Sequence, residues 1–191
     1  PTAGTLVGPG PTAVTLSVKD AALNTAICQA TITVADQTAP SISQCAGPQT
    51  LAANASCQAS IPDLTGLIAA SDNCTPALSL AITQSPTAGT LVGLGPTVVT
   101  ISVKDAALNT TMCQATITVT DQTAPQITTC SGAQTIAANG TCQAAIPDLT
   151  GSVVATDNCT STPALVITQS PAAGTVVGLG PTVVTMTVKD A

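Results

Sequence analysis

The sequence has 191 residues and a formal net charge of −6, carried by nine Asp and three Lys, with no Arg, Glu, His or aromatic residue. Nucleic acid is therefore not an expected partner, because phosphate contacts require Lys and Arg and base stacking requires aromatic rings. No apolar stretch approaches the roughly 18 residues of a membrane-spanning helix. The missing His, Glu, Arg and Tyr leave few groups for catalysis, so we expect neither an enzyme nor a membrane span.

An internal repeat organises the chain. Pro1–Gly8 recurs as Pro86–Gly93 and, slightly altered, as Pro171–Gly178, with an offset of 85 residues each time. The cysteines keep the same offset, four to a repeat. Both ends of the sequence fall within a repeat, so we expect this chain to be part of a longer tandem array.

Alternating apolar and polar residues predict short β-strands rather than helices. In chain order, the alternating stretches are Cys57–Ile61, Leu78–Ile82, Thr97–Lys104 and Thr111–Thr120. Asn139-Gly140, between 134–138 and 141–146, is a strong signal for a two-residue hairpin turn. About seven such strands per repeat, each ending in turn residues, predict an all-β fold of tandem, disulfide-bonded, immunoglobulin-like sandwiches.

Eight cysteines in so weakly charged a chain indicate disulfides and an oxidising, extracellular compartment. Zinc is the competing interpretation, but zinc sites use short Cys-x-x-Cys knuckles or His ligands, and the sequence has neither. Because the largest apolar side chains are Leu, Ile and Met, each repeat has a thin core that disulfides would reinforce.

A series of motifs in fixed order covers the whole chain. They are Pro40-x-Ile-x-x-Cys45, Asp72-Asn73-Cys74, Val103-Lys104-Asp105, Leu108-Asn109, Cys113 and Asp121-Gln-Thr-Ala-Pro125. In this order they resemble the hyalin repeat, a family that implies immunoglobulin-like sandwiches in extracellular, adhesion-related or matrix-like proteins with no chemistry of their own. Two positions depart from the family pattern, since Leu108 stands where Gly is usual and Ala115 where an aromatic residue is usual.

The resemblance implies a domain division into a partial repeat at 1–38, a complete repeat at 39–123 and a partial repeat at 124–191. The segments Asp36–Pro40 and Asp121–Pro125 would be linkers whose final proline limits flexibility.

The same fold implies disulfides Cys45–Cys113 and Cys57–Cys74, with Cys142 and Cys159 as the next copies of the second pair. Cys28 and Cys130 would have partners outside this sequence. Strand parity adds a condition, because Ile42 and Cys45 fall on opposite faces unless the first strand kinks between them.

Aspartates at the linkers and loops are the only candidates for a site. The fold implies that they gather at one pole, which predicts calcium held by carboxylate and amide oxygens. The candidates are Asp36, Asp72, Asn73, Asp105 and Asn109, and one repeat later Asp121, Asp157, Asn158 and Asp190. The alternative is that Asp and Asn simply favour turns, which is how we interpret Asp63 and Asp148 beside their prolines.

Five asparagines begin Asn-x-Ser/Thr sequons and are candidates for glycosylation in a secreted chain. They are Asn54, Asn73, Asn109, Asn139 and Asn158. Asn109 and the other asparagines of the calcium set cannot comfortably serve in both roles.

Near-identical repeats without a distinctive loop favour a structural role in an extracellular, cell-surface filament, stalk or matrix, in which the repeats are their own partners. The alternative is an adhesion or recognition module that binds glycan or protein, for which Tyr, Trp or Arg in one special loop is the usual signal. Thr25–Val34 could also be donated to a neighbouring chain by strand addition.

Overall fold

The computed structural model describes residues 1–190. Ala191, the last residue of the predicted segment 124–191, lies outside them. The regular elements are sixteen β-strands and four single-turn 3-10 helices, and this confirms the predicted all-β class. Within residues 1–190, no helix is long and apolar enough to cross a membrane.

The strands are short and follow one another closely. In chain order they are β1 (Gly10–Lys19), β2 (Thr25–Val34), β3 (Ser41–Gln44), β4 (Gln49–Ala52), β5 (Gln58–Ser60), β6 (Ala69–Ser71), β7 (Ala81–Ser85), β8 (Leu91–Gly93), β9 (Gly95–Lys104), β10 (Thr110–Thr120), β11 (Gln126–Thr129), β12 (Ala144–Ala145), β13 (Val154–Thr156), β14 (Val166–Ser170), β15 (Val176–Val177) and β16 (Thr185–Lys189). The 3-10 helices are Thr65–Leu67, Ala77–Ser79, Thr150–Ser152 and Thr162–Ala164.

One four-stranded sheet has the order β4-β10-β9-β7. β7 runs antiparallel to β9, with Ile82 opposite Val103, whereas β4 runs parallel to β10, with Leu51 opposite Val119. A parallel pair between an early and a late strand of a repeat is the immunoglobulin-like arrangement that the sequence predicts. The other pairs are β1–β2, β3–β6, β5–β8, β11–β13, β12–β15 and β14–β16, all antiparallel.

The chain divides into two compact units. The first comprises Pro1–Gly47, Pro62–Ala88 and Val98–Ala115, and the second comprises Pro48–Ile61, Gly89–Thr97 and residues from Thr116 onward. The predicted boundaries at 38/39 and 123/124 describe the sequence repeat, and they stay a prediction.

The first unit buries the alternating side chains predicted for Thr97–Lys104. Val99, Ile101 and Val103 are each 0% exposed, because every second residue of β9 points to the same face. Full burial of such a side chain contributes roughly 1.5–3 kcal/mol. Leu64, Ala46 and Ala115 are also buried.

The second unit has its own core. The sequence predicted the inward positions of Ile117 and Val119 in β10, and both are buried. The remaining buried apolar residues of this unit are Ala59, Ile61, Ile146, Val153, Ala155 and Leu165. All are aliphatic, which agrees with the predicted thin core.

Two strand predictions are partly wrong. Leu78 is fully exposed because Pro76 precedes a 3-10 turn, in which the Ser79 N–H donates to the Pro76 carbonyl, so the strand begins only at Ala81. At Asn139-Gly140 there is a turn, but residues 134–138 are not a strand. The turn is also longer than two residues, since the Asn139 N–H donates to the Gln143 carbonyl.

The predicted Cys45–Cys113 disulfide is confirmed, with the two Cα atoms 6.2 Å apart. The parity condition is met by a register irregularity in β3 between Ile42 and Gln44. This kink allows Ile42 and Cys45 to serve the same side of the strand.

The predicted Cys57–Cys74 pairing is wrong, because Cys57 is bonded to Cys159, with a Cα–Cα distance of 5.1 Å. The turn that holds Cys57 lies beside the Cys159 loop, where Asn158 Nδ2 donates to the Asn54 carbonyl over 3.2 Å. Cys74 and Cys159 both follow Asp-Asn, so their sequences could not reveal which copy pairs with Cys57. The other cysteines are free thiols, namely Cys28, Cys74, Cys130 and Cys142.

Candidate functional site: two aspartate clusters

In the first unit, three loops bring three aspartates together. Asp36 comes from the predicted linker, Asp72 from the loop after β6 and Asp105 from the loop after β9. One carboxylate oxygen from each lies within 4.8 Å of the others. Asp105 is 4% exposed, and the other two are half-buried. The structure therefore brings together the three carboxylates that the sequence analysis grouped.

Backbone amides hold Asp72 in place. Its Oδ2 accepts hydrogen bonds from the N–H groups of Cys74 and Thr75, both at 2.9 Å. These bonds favour the charged carboxylate and lower the pKa of Asp72 below its ordinary value. Its other oxygen, Oδ1, is buried without a hydrogen-bond partner.

Asp36 has the same division of labour between its two oxygens. Oδ1 accepts the Thr38 N–H at 3.0 Å, which closes a turn at the start of the linker, and Oδ2 is buried without a hydrogen-bond partner. Pro40, at the end of the linker, is fully buried. The linker is thus fixed at both ends, with one carboxylate oxygen left unused.

Asn109 acts as a donor in this cluster. Its Nδ2 donates to Asp105 Oδ2 at 2.8 Å and to the carbonyls of Asp36 and Thr38 at 3.3 and 3.2 Å. Its backbone N–H donates to Asp105 Oδ1 at 2.8 Å. Asn109 therefore positions Asp105 and the linker through its N–H groups, and this differs from the predicted role of an oxygen ligand.

The second unit contains an equivalent cluster of Asp121, Asp157 and Asp190, with one oxygen from each within 4.8 Å of the others. Asp157 Oδ2 accepts the N–H groups of Thr160 and Cys159 at 2.7 and 2.8 Å, and these bonds lower the pKa of Asp157. Asp121 Oδ2 and Asp157 Oδ1 are buried without hydrogen-bond partners. The two clusters match atom for atom in their unpartnered oxygens.

The charge in these clusters is poorly compensated by the protein. Three carboxylates repel one another at such short range, and a buried oxygen without a donor is costly. The whole chain has only three Lys and no Arg or His. Several carboxylate oxygens around one point are what a hard divalent cation such as Ca²⁺ takes as ligands. The geometry of each cluster is suited to one such ion.

Three other predicted site residues lie outside the carboxylate clusters. Asn73 is exposed, and its Nδ2 donates to the Cys74 sulfur at 3.1 Å. Asn158 donates from Nδ2 to the Asn54 carbonyl, while its Oδ1 is buried without a hydrogen-bond partner. Asp63 accepts the Thr65 N–H and hydroxyl at 2.9 and 2.7 Å, as expected of a turn former, and these bonds lower its pKa, the hydroxyl having the larger effect.

The sequence analysis did not identify Thr75. Its side chain is 4% exposed, and its Oγ1 accepts the Ala106 N–H at 3.2 Å, which ties the Asp72 loop to the Asp105 loop. A Thr three residues after a turn-forming Asp was the available signal, since the Thr75 N–H is the second donor to Asp72. A buried threonine of this kind positions the cluster.

The sequons differ in how available their amide nitrogens are. Glycosylation modifies Nδ2, and in Asn109 and Asn158 that atom donates to backbone carbonyls. Asn54 and Asn139 are exposed and use Oδ1 to accept hydrogen bonds within their turns. Together with the exposed Asn73, they stay candidates for glycan attachment.

Cys74 lies beside the first cluster as a free, exposed thiol. Desolvation, followed by the charges of Asp36, Asp72 and Asp105, raises its pKa, because both effects disfavour the thiolate. The charge of the first cluster is therefore reported by the reactivity of a neighbouring side chain.

No family model matches the chain, and no curated protein matches it. Among solved structures, it is similar to the protocadherin gamma B7 extracellular cadherin domains 1–4, with 16% sequence identity and a TM-score of 0.35. The match covers 95% of this chain and 49% of that chain, so the present chain spans about half the length of that structure. Similarity at this level transfers nothing about binding or assembly.

Proposed function

We propose that the chain is a structural segment of an extracellular filament, stalk or matrix, built from tandem hyalin-type repeats whose aspartate clusters each hold one Ca²⁺. The observation that carries this proposal is the pair of three-carboxylate clusters, each with two buried oxygens that have no hydrogen-bond partner. A bound calcium ion would supply the missing positive charge and the missing partner for those oxygens.

Each ion would connect loops that are far apart in the sequence. In the first cluster it would join the Asp36 linker to the loops of Asp72 and Asp105. Asn109 already bonds the linker carbonyls to Asp105, and calcium would strengthen the same connection. A linker held in this way is stiff, which suits a rod or filament.

The compartment and the type of activity follow from the same residues. Two disulfides connect distant segments, and such bonds persist in oxidising, extracellular surroundings. The clusters bind and orient but contain no nucleophile with an adjacent base, so we propose a non-enzymatic role. The repeats themselves, in one chain or in several, are the proposed partners.

Calcium titration by isothermal titration calorimetry tests this function. We expect two ions per wild-type chain and one per chain in each of the variants Asp72→Asn and Asp157→Asn. Asp63→Asn is the matched control, because Asp63 forms a turn outside the clusters, and it should still bind two ions. Absence of binding at millimolar calcium, with the native far-ultraviolet circular dichroism spectrum retained, would refute the proposal.

A further inference from the structure

The second unit contains an open cleft between the segments that follow β11 and β15. Its lining includes Cys130, Ile136, Cys142, Ile146, Val184 and Met186. Val184 and Met186 are half-buried, whereas Val99 and Ile101, the residues one period earlier, are 0% exposed. The apolar floor of this cleft is thus less covered than the same positions in β9.

The strand that would cover this cleft is the equivalent of β10. Gln49–Ala52 forms β4 by pairing with Ile117–Thr120. The equivalent residues 134–137 are not a strand, and residues 1–190 include no copy of β10 that pairs with them. An unpaired backbone beside an apolar cleft is suited to accept an added strand.

A strand of the required sequence is exposed at the other end of the chain. β2, Thr25–Val34, differs from Thr110–Val119 at only two positions. It pairs with β1, but Ile27 and Ile32 remain 66% and 52% exposed. Ile117, the residue equivalent to Ile32, is 0% exposed. The apolar side of β2 therefore lacks the cover that its equivalent has.

The four free cysteines complete the match. Moving the Cys45–Cys113 pair by one period gives Cys130 with Cys28, and moving the Cys57–Cys159 pair gives Cys142 with Cys74. In both cases one cysteine lies at the cleft and the other lies in the first unit. Every free thiol is thus half of a pair whose equivalent is bonded in the structure.

The loops that hold the second pair are already in the bonded conformation. Cys57 and Cys142 both have φ of 58°, and Asn54 and Asn139 each accept two backbone N–H groups through Oδ1. On the opposing side, Asp72 accepts the N–H groups of Cys74 and Thr75 just as Asp157 does for Cys159 and Thr160.

We propose that the cleft binds β2 of a second copy of this chain, which donates the missing strand and forms the intermolecular disulfides Cys28–Cys130 and Cys74–Cys142. Residues 1–20 repeat residues 171–190, so β1 of the donor separates from β2 when β2 enters the cleft beside β16 of the acceptor. Asn73 of the donor would then give its Nδ2 to the Asn139 carbonyl of the acceptor, as Asn158 does to Asn54. The inference deepens the proposed function by naming the partner.

Each disulfide forms by exchange with a small disulfide such as oxidised glutathione. One cysteine thiolate attacks a glutathione sulfur and releases the first reduced glutathione. The thiolate of the other copy then attacks the protein sulfur of the mixed disulfide and releases the second. Two protein thiols are oxidised, one oxidised glutathione is reduced to two thiols, and two protons pass to the buffer or to the leaving thiolates.

The test uses four full-length variants, each keeping both existing disulfides and only one free cysteine, the other three being changed to Ser. Each of the four possible donor–acceptor combinations is mixed in a glutathione redox buffer, and disulfide-linked dimers are counted by non-reducing electrophoresis and mass spectrometry. The matched combinations are Cys28 with Cys130 and Cys74 with Cys142. The mismatched controls are Cys28 with Cys142 and Cys74 with Cys130.

We expect the matched combinations to give at least tenfold more heterodimer than the mismatched ones, and Asn73→Ala to reduce the Cys74–Cys142 product. Equal yields in all four combinations, or only monomers, would overturn the inference. The reactions are run in calcium and in a calcium chelator, and calcium binding of the same variants is measured separately. Failure of pairing in chains that still bind calcium would therefore reject the strand donation alone.

Discussion

Leu108 is the residue at which a single substitution should stabilise the protein. Its φ is +73°, in the left-handed region, and its side chain is 72% exposed. A Cβ atom in this conformation costs roughly 1–2 kcal/mol, while glycine costs about 0.5–1 kcal/mol more chain entropy on folding. Because so little of the side chain is buried, Leu108→Gly should be about 0.5–1 kcal/mol more stable than Leu108→Ala.

Urea unfolding followed by far-ultraviolet circular dichroism measures this difference, since the chain has no aromatic fluorophore. Leu78 provides a control with the opposite sign. It is fully exposed within the 3-10 helix Ala77–Ser79 and does not have positive φ, so Leu78→Gly should be less stable than Leu78→Ala by about 0.5–1 kcal/mol. The reasoning is refuted if Leu108→Gly is no more stable than Leu108→Ala.

Three further predictions concern the disulfides, the aspartates and the free thiol. The double variant Cys45→Ala/Cys113→Ala opens a loop with a sequence separation of 68 and should lose about 4 kcal/mol of unfolding free energy, measured by urea titration; a loss below about 1 kcal/mol contradicts the chain-entropy account. The lowered pKa of Asp72 means that its stabilising contribution is present above its unfolded pKa of about 3.9 and is lost as pH falls through the folded value. The urea midpoint of the wild type should thus fall more steeply below pH 4 than that of Asp72→Asn, and parallel curves would contradict this. Calcium should accelerate alkylation of Cys74 by iodoacetamide, because it offsets the carboxylate charges that raise the pKa of that thiol, whereas Cys28 should react at an unchanged rate; equal responses of the two thiols would contradict a calcium site beside Cys74.

The strands β9 and β10 could be predicted from the sequence because their alternation is long and regular. Val99, Ile101 and Val103 occupy every second position, and all three are fully buried. Leu78 shares the apparent alternation of Leu80 and Ile82, but Pro76 favours a turn there, and local turn geometry prevails over a three-residue pattern. Short apolar patterns next to proline are therefore weak evidence for a strand.

Long-range pairing was harder to predict than local structure. Gln49–Ala52 and 134–137 have related sequences, yet only the first is a strand, because its hydrogen-bond partner in β10 is present. A repeat also conceals which copy supplies a partner, and this explains the wrong assignment of Cys57 to Cys74. In both cases the deciding contact lies outside the local sequence.

The aspartate clusters could be predicted in outline, because linkers and loops at one end of a sandwich gather Asp36, Asp72 and Asp105. The roles within the cluster could not. Asn109 uses its amide N–H groups to hold Asp105 and the linker, and Thr75 is buried between two loops. Side-chain orientation depends on the surrounding backbone carbonyls, which the sequence pattern does not specify.

The number of calcium ions bound per chain tests the central claim most directly. Native mass spectrometry of the oxidised, monomeric chain, in volatile buffer with added calcium, counts the ions on each molecule. The account predicts two calcium ions per chain, with magnesium at the same concentration binding less, because Ca²⁺ accepts irregular oxygen shells that Mg²⁺ does not. A folded chain that carries no calcium, or an unsaturable series of adducts that Asp72→Asn and Asp157→Asn leave unchanged, would contradict it.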